Sequence, residues 1–562
     1  MRALADLDVL IVDCQATGAS PAFGCVLELG WAVQRAGDEP VAGASAHWIA
    51  LPEGHRVPPQ VRKITGYDPR FAAEAITDAE AWSRLRRDLD AAGAMPTAIH
   101  YARFELAFLR EWAARFEPEA PFPFDIVCVH AIARRLFPDL PRQSIRALAG
   151  YLGFSLDLER RSLGHVEATA FVWRKLRNEL VSRGVETWEH VPLFLKERSA
   201  EPRPRATKKP RYPLATERYR ALPDQPGVYR FLRSNGDVLY VGKAASLKRR
   251  VASHFTGKGS NAQSPEMLTQ VGDIAVTLVE SALEAALLEN ETIKALRPPY
   301  NVQLTVKELP VWYGTRAFDA ASTLPDETHP LGPLPSEFSL RPLAALVALA
   351  GGADATDELR SHAVGASALF TPDSAVFAAG WCELLERHPD LKAQAVAPRR
   401  RVLNLARRLL VAGVAPEPEN GGSAAADAAE TRAWDAPRVA RHVERALVQA
   451  YRAYRRAHWL ALLHDSDVIY REPGSERVRL LEVRGGEIVA ARDLAAEHAP
   501  SERLRPALLA RRTLFDRVKY ERLRVLTTEL KRILRDGGSV SLCWGPARRL
   551  PERWLPGALG SS

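Results

Sequence analysis

Between residues 226 and 302 the side chains that phosphate chemistry needs stand in one short stretch. Hydrolysis of a phosphodiester requires a divalent cation, an activated water, positive charge on the developing phosphorane and a proton for the leaving oxygen. Glu289, set behind Leu283, Leu287 and Leu288, is a carboxylate that can hold a hard cation such as Mg²⁺ through oxygen. Arg250 offers a fork that matches phosphate, and Lys243 adds a second positive charge. Tyr240 and His254 are candidates for managing protons, the imidazole with an ordinary pKa near the working pH. Taken singly, a strand Tyr packs, a helix Arg is solvated and a lone Glu does nothing. Their joint order points to a site.

The elements that must carry these residues are legible. The runs 227–232 and 238–241 flank Ser234-Asn235-Gly236-Asp237, and an Asn-Gly turn between apolar runs predicts a β-hairpin with Tyr229 and Tyr240 on adjacent strands. A basic helix follows from Ser246, which places Arg250 and His254, four residues apart, on one face. A strand at 274–279 comes next, then a helix opened by the capping box Ser281-Ala282-Leu283-Glu284 and ended by Pro298.

Upstream, the continuous apolar run Val9-Leu10-Ile11-Val12 ends at Asp13, and 26–33 reads as its partner strand. Helical patterns follow at 78–92, 103–114, 127–137, 144–152 and 163–180, which predicts an α/β layer with a mixed sheet. Two composition breaks divide the chain: a basic, Pro-rich linker at 196–213 and a small, polar connector at 415–437. Residues 340–412 read as helical, 437–465 and 503–536 as Arg-rich amphipathic helices, and 467–493 as a β-hairpin. No catalytic constellation is visible beyond residue 310.

Composition bounds the rest. The 562 residues predict about three or four domains. With 77 Lys+Arg against 68 Asp+Glu the formal net charge is +9, which favours an anionic partner. Five Cys without a CxxC pair argue against a disulfide framework and a thiolate zinc site, so a reducing compartment is expected. The longest uncharged apolar stretch, 342–353, is too short to span a bilayer. No membrane role is expected.

The hairpin segment resembles the GIY-YIG nuclease domain, most closely the amino-terminal incision domain of the excinuclease C family. Gly227-Val228-Tyr229 stands at the GIY motif and Tyr240-Val241-Gly242 at YIG. Lys243-Ala244, Leu247 and Arg250 follow the family's order, as do Leu287-Leu288-Glu289-Asn290 and the closing Arg297-Pro298-Pro299-Tyr300-Asn301-Val302. The resemblance implies a one-metal nuclease using Mg²⁺ (or Mn²⁺), with Glu289 as the metal ligand. Tyr240 would help activate water, Arg250 and Lys243 would stabilise phosphate, and Tyr229 and Asn301 would shape the pocket. His254 departs from excinuclease C, where a Tyr is usual.

Residues 8–180 resemble the DnaQ-like DEDDh exonucleases, of RNase H-like fold. The resemblance rests on Asp13 with Thr17-Gly18, on His100-Tyr101-Ala102-Arg103-Phe104-Glu105, on Asp125, and on Gly164-His165. That family holds two metal ions with four carboxylates and a His. Here Gln15 stands where a Glu is expected, Glu105 replaces an Asp, and Ala170 replaces the last Asp. The resemblance therefore implies a 3′–5′ exonuclease domain with a degenerate site, kept to bind DNA or a partner. The alternative is a tuned exonuclease using Asp13, Glu105, Glu167 and His165.

The expected architecture is multidomain α+β. It comprises an RNase H-like domain (1–195), the linker (196–213), a small α/β GIY-YIG domain (214–310), a helical region (311–414), the connector (415–437) and a C-terminal α/β region (438–562), mainly helical with a β-hairpin. The expected function is DNA repair: a bacterial, cytoplasmic, nucleoid-associated endonuclease that cuts damaged or branched duplex DNA. His329-Pro330-Leu331-Gly332-Pro333-Leu334-Pro335-Ser336 fits the turn that follows the nuclease domain in this family. A UvrB-binding motif is not recognisable, so the resemblance is nearer to the single-incision homologue Cho, with UvrA–UvrB supplying the site. The alternatives are a structure-specific nuclease independent of UvrA–UvrB and a non-catalytic DNA-binding scaffold; RNA stays open as a substrate.

Overall fold

The computed structural model describes residues 2–37, 39–91, 93, 95–156, 161–196, 211–256, 265–301, 310–365, 371–414, 434–494, 514–544 and 549–550. Most of the expected linker, most of the expected connector and residues 503–513 of the last Arg-rich stretch lie outside them, as does Val302. Two compact units form: Met1–Glu280 with Thr292–Thr305, and Ser281–Glu291 with Val306–Ser562.

The first unit holds two sheets. Strands β1 (Val9–Ala16), β2 (Val26–Gln34), β3 (Ser45–Trp48), β4 (Thr97–Ile99) and β5 (Ile126–Cys128) form a mixed sheet in the order β3-β2-β1-β4-β5. Here β2 runs antiparallel to β1, and β4 runs parallel to it. Alternation along β1 sends Val9 and Ile11 to one core and Leu10, Val12 and Cys14 to the other. Helix Ser162–Ser182 fills the first through Val166, Trp173 and Leu176; Asp78–Ala91 and Ala102–Phe116 fill the second through Trp82, Phe108 and Trp112. The sheet is thus covered on both faces, and the expected mixed α/β layer is present.

Strands β6 (Gly227–Leu232), β7 (Val238–Ala244) and β8 (Asp273–Leu278) make a three-stranded antiparallel sheet in the order β7-β6-β8. The expected hairpin joins β6 to β7, with Gly236 at φ +91° where a side chain would strain the backbone. Helix Leu247–Thr256 packs Leu247 and Val251 into the core with Tyr229, Phe231 and Leu239. A Cβ on Gly242 would come within 2.4 Å of the Tyr229 hydroxyl and 2.8 Å of the Tyr240 ring.

In this unit the two folds touch directly. The Glu266 carboxylate accepts from Ser144 Oγ (2.9 Å), which caps helix Ile145–Tyr151, and pairs with Arg146 at 3.4 Å. The buried Arg233 guanidinium donates to Ser155 Oγ (2.7 Å) and to Gln270 Oε1.

In the second unit, β9 (Trp312–Gly314), β10 (Ala321–Ser322) and β11 (Leu331–Leu334) form a small sheet. Helices Arg341–Ala350, Asp357–Val364, Ser374–Arg387 and Pro398–Val411 share one core with helix Ala436–Leu463. The sequence reading expected a helical region at 340–412 and an amphipathic helix at 437–465. It also expected a hairpin after residue 467, and β13 (Val478–Arg484) with β14 (Glu487–Leu494) supplies it. These two strands belong to a larger sheet, β14-β13-β12-β15-β16, completed by β12 (Ser466–Arg471), β15 (Ser539–Trp544) and β16 (Arg549–Leu550). Helix Arg517–Arg535 covers it through Leu523, Leu526, Leu530 and Ile533. No helix among the described residues is long and apolar enough to cross a membrane.

Because the Tyr229 phenol and the Tyr240 ring occupy the space a Cβ on Gly242 would take, Gly242→Ala should cost about 1–3 kcal/mol. Thermal unfolding followed by circular dichroism should show a transition shifted to lower temperature; an unshifted melt would contradict the close approach.

Candidate active sites

The hairpin places Tyr229 in the interior, fully buried, and its hydroxyl lies 2.7 Å from His254 Nε2. Burial and then the Arg250 charge pull the His254 pKa down to about 4. The sequence-based expectation of an imidazole titrating near the working pH is corrected here: His254 is neutral at pH 7, so it holds the Tyr229 hydroxyl instead of shuttling charge. Its Nδ1 has no hydrogen-bond partner among the described residues. The Tyr240 ring is half-buried, with its centroid 6.1 Å from Tyr229 and 6.4 Å from His254. Lys243 and Arg250 are half-buried as well, Lys243 on β7 and Arg250 on the helix that follows.

Asn301 clamps the same strand. Its amide nitrogen donates to Val241 O and its oxygen accepts from Val241 N, both at 2.8 Å. Because β7 is an edge strand, this side chain satisfies backbone groups that no neighbouring strand reaches. Tyr300, next to it, donates to Glu266 Oε1 at 3.2 Å and accepts from Gln270 Nε2 at 2.7 Å, and burial pushes its pKa up.

Glu289 is half-buried on helix Ala282–Leu296. In the second unit this helix is held at its start: Ser281 Oγ lies 2.8 Å from the Tyr470 hydroxyl and caps Glu284 N at 3.1 Å. The expected capping box is half made, since the Glu284 carboxylate turns to Arg479 at 2.6 Å and accepts from Tyr470 at 3.1 Å. Leu283 and Leu287 enter the core beneath β12, β13 and helix Arg517–Arg535. Asn290, beside Glu289, is buried with neither amide atom partnered among the described residues.

At the end of β1 a second cluster forms. Asp13 is buried, and its carboxylate accepts from Gln15 Nε2 at 2.9 Å while its other oxygen faces His165 Nδ1 at 3.1 Å. The Gln15 amide also lies 3.3 Å from that ring nitrogen. Glu105 is buried, and desolvation first, then Asp13, raises its pKa well above the usual carboxylate range. Beside them burial and the neighbouring His130 pull the His100 pKa to about 3. Ala170 is fully buried, whereas Glu167 is exposed on the outer face of its helix. Asp125 lies at the surface, paired with Arg2 at 2.9 Å and accepting from Trp188 Nε1.

Residues 225–302 match the model of the UvrC-like GIY-YIG domain. The GIY-YIG segment is 55% identical over 85 residues to the UvrABC system protein C of Alkalilimnicola ehrlichii, covering 15% of this chain and 14% of that protein. A Mycobacterium tuberculosis protein (strain CDC 1551 / Oshkosh), provisionally assigned as a bifunctional exonuclease/endonuclease, is 29% identical over 305 residues, 53% of this chain and 45% of its own. The chain therefore spans less than half the length of these two relatives. Among solved structures, Escherichia coli exonuclease I with a dT13 oligonucleotide aligns at TM-score 0.28 and 15% identity, over 32% of this chain and 42% of that one. The GIY-YIG domain of Thermotoga maritima UvrC bound to magnesium aligns at TM-score 0.14 and 31% identity, over 15% of this chain and 92% of that one.

The two clusters differ in their fitness for a metal. A single carboxylate suffices for Mg²⁺, which keeps several waters and takes substrate oxygens, and Glu289 with the unpartnered Asn290 amide beside it fits such a donor set. A pair of divalent cations does not fit the Asp13 cluster. One carboxylate is already satisfied by an amide, burial disfavours the ionised form of the second, and the last position is a methyl group. Among the described residues no group of three or more His, Cys, Asp or Glu is arranged to hold a metal ion.

Sequence reasoning missed Glu266, Gln270 and Arg233, which join the GIY-YIG domain to the preceding fold. They lie outside the motifs, and nothing in their spacing marks a buried contact. It also missed Glu28, buried on β2 and paired with Arg161 at 2.7 Å.

Glu105 yields a pH test. Its folded pKa is raised, so above the unfolded value near 4.3 the unfolded chain binds fewer protons and stability falls as pH rises. In EDTA, melts between pH 5 and 9 should show Glu105→Gln losing less stability with rising pH than wild type. Parallel profiles would show that Glu105 is charged in the folded protein.

Proposed function

We propose that the chain is a DNA repair nuclease whose working site is the GIY-YIG domain, with the preceding DnaQ-like fold retained for binding rather than cutting. The observation that carries this reading is the complete, ordered set of GIY-YIG side chains within residues that match the UvrC-like model. The proposed division is an exonuclease-like domain at 1–195, the nuclease domain at 214–310, and the regions 311–414 and 438–562 behind it.

In this reading Glu289, with a buried Asn290 next to it, holds Mg²⁺ or Mn²⁺. A cation bound there would polarise the scissile phosphate and lower the pKa of the attacking water. Tyr240 takes part in activating that water from its half-buried position on β7. Arg250 and Lys243 face the charge that develops on the phosphate. Tyr229 and Asn301 work behind them: the neutral His254 fixes the Tyr229 hydroxyl, and Asn301 fixes the backbone of Val241 next to Tyr240. Asp13, Gln15, Glu105, His165, Glu167 and Ala170 mark the degenerate site.

The proposed substrate is damaged duplex DNA cut on one strand in the bacterial nucleoid, with UvrA–UvrB choosing the site. A second reading, a structure-specific nuclease that works without UvrA–UvrB, is favoured by one observation: the alignment with the Alkalilimnicola ehrlichii protein C runs over 85 residues, 14% of that protein. A pulldown with UvrB at low salt separates the two, since no recovery would leave only the second.

Closed circular DNA carrying bulky lesions tests the site assignment. With Mg²⁺ the wild type should nick it, with UvrA–UvrB present or, in the second reading, alone. Glu289→Gln should fall to background and Arg250→Ala should lose about 10²–10³-fold. Asp13→Ala should nick at the wild-type rate. Full activity in Glu289→Gln would overturn the assignment.

A further inference from the structure

Helix Ala436–Leu463 carries Arg452, Arg455 and Arg456 at spacing i, i+3 and i+4, so their side chains share one face. It packs against Pro398–Val411, which bears Arg407, and against Arg517–Arg535, which bears Lys531. The electrostatics record how close these cations come. Arg407 repels Arg455, and Arg456, Arg455 and Arg452 repel Lys531. Three helices of one unit thus bring positive charge to one place.

The rest of helix Arg517–Arg535 shows how this unit ordinarily treats a cation. Arg517 pairs with Glu521 at 2.7 Å, Arg522 with Glu291 at 3.0 Å and Glu487 at 2.5 Å, and Arg532 with Glu472 at 2.9 Å and Glu529 at 2.6 Å. Lys531, one residue from Arg532, makes no ion pair among the described residues, and neither do Arg407, Arg452 or Arg455. Desolvation followed by the arginine repulsion draws the Lys531 ammonium down to about 8. Like charges crowded together work against folding, and a bound polyanion would remove that repulsion. Tyr451 and Tyr454 lie on the same helix with stacked rings, centroids 6.2 Å apart.

We propose that this face, with Arg407, Arg452, Arg455 and Lys531 at its centre, is a docking surface for the phosphate backbone of nucleic acid. Several cations at one place suit a partner with one charge per ~1.7 Å of helix axis better than a single small anion. The surface belongs wholly to the second unit and does not depend on which side chains cut.

The test is equilibrium binding of the full chain to a fluorescent 30-base-pair duplex in EDTA, where no cutting occurs, across 50–200 mM KCl. The triple variant Arg452→Gln/Arg455→Gln/Lys531→Gln should show a slope of log K against log [KCl] shallower by about two to three, because each lost phosphate contact removes close to one. Affinity at 50 mM should fall at least about tenfold. Arg452→Lys/Arg455→Lys keeps the charges and should keep the slope. If the triple variant melts early, Lys531→Gln alone decides, with an expected loss of about one in slope. An unchanged slope in a folded variant would overturn the proposal. So would wild-type protein that sediments with anionic vesicles and ignores the duplex.

Discussion

The buried hydrogen bond between the Tyr229 hydroxyl and His254 Nε2, 2.7 Å long, is the contact on which the nuclease domain's arrangement depends. It forms only because strand β7 passes Tyr229 at Gly242, where a Cβ would collide with that hydroxyl. The motif's glycine is therefore steric in origin, and so is Gly227, whose Cβ would meet Thr277 O at 2.6 Å and Leu247 Cδ1 at 2.8 Å. Once the hairpin and helix Leu247–Thr256 are locked at this spacing, Tyr240, Lys243 and Arg250 are left half-buried, able to meet a ligand without being free to wander. Burial keeps His254 neutral, which suits a support for a phenol better than a carrier of charge.

The cluster at Asp13 shows the opposite use of burial. Where a metal-binding fold would place several ionised carboxylates, the Gln15 amide donates to Asp13 and burial works against the charged form of Glu105. An amide hydrogen carries a small fraction of the charge of a divalent cation, but it satisfies the carboxylate without a bound ion. This is also why the tie between the two folds matters: Glu266, bonded to Ser144 and paired with Arg146, links the start of helix Ile145–Tyr151 to Tyr300 of the nuclease domain. The first fold is thus built into the packing of its neighbour.

Legibility in the sequence followed the reach of the interactions. The β6–β7 hairpin, helix Leu247–Thr256 and helix Ala282–Leu296 were readable because turn chemistry and capping are local. The helical character of 341–411 was readable from its Ala/Leu-rich composition, and that of 436–463 from its amphipathic pattern. The five-stranded sheet near the C-terminus was only partly readable, because β12 and β15 pair across about seventy residues and each is only six residues long. Within the sites, residue types were visible and their states were not. That Gln15 satisfies Asp13, and that His254 loses its proton affinity, both follow from burial that only the folded chain reveals.

Glu289 illustrates the same division. Its presence in a motif is a matter of sequence, while the grip of Ser281, Glu284, Tyr470 and Arg479 on the start of its helix is a matter of long-range packing. The account stands or falls on there being one cutting site, and the product pattern from a duplex end-labelled on the damaged strand tests this most directly. With Mg²⁺, products resolved at single-nucleotide length should show one discrete internal cut. A ladder of strands shortened stepwise from the 3′ end, abolished by Asp13→Ala, would contradict it.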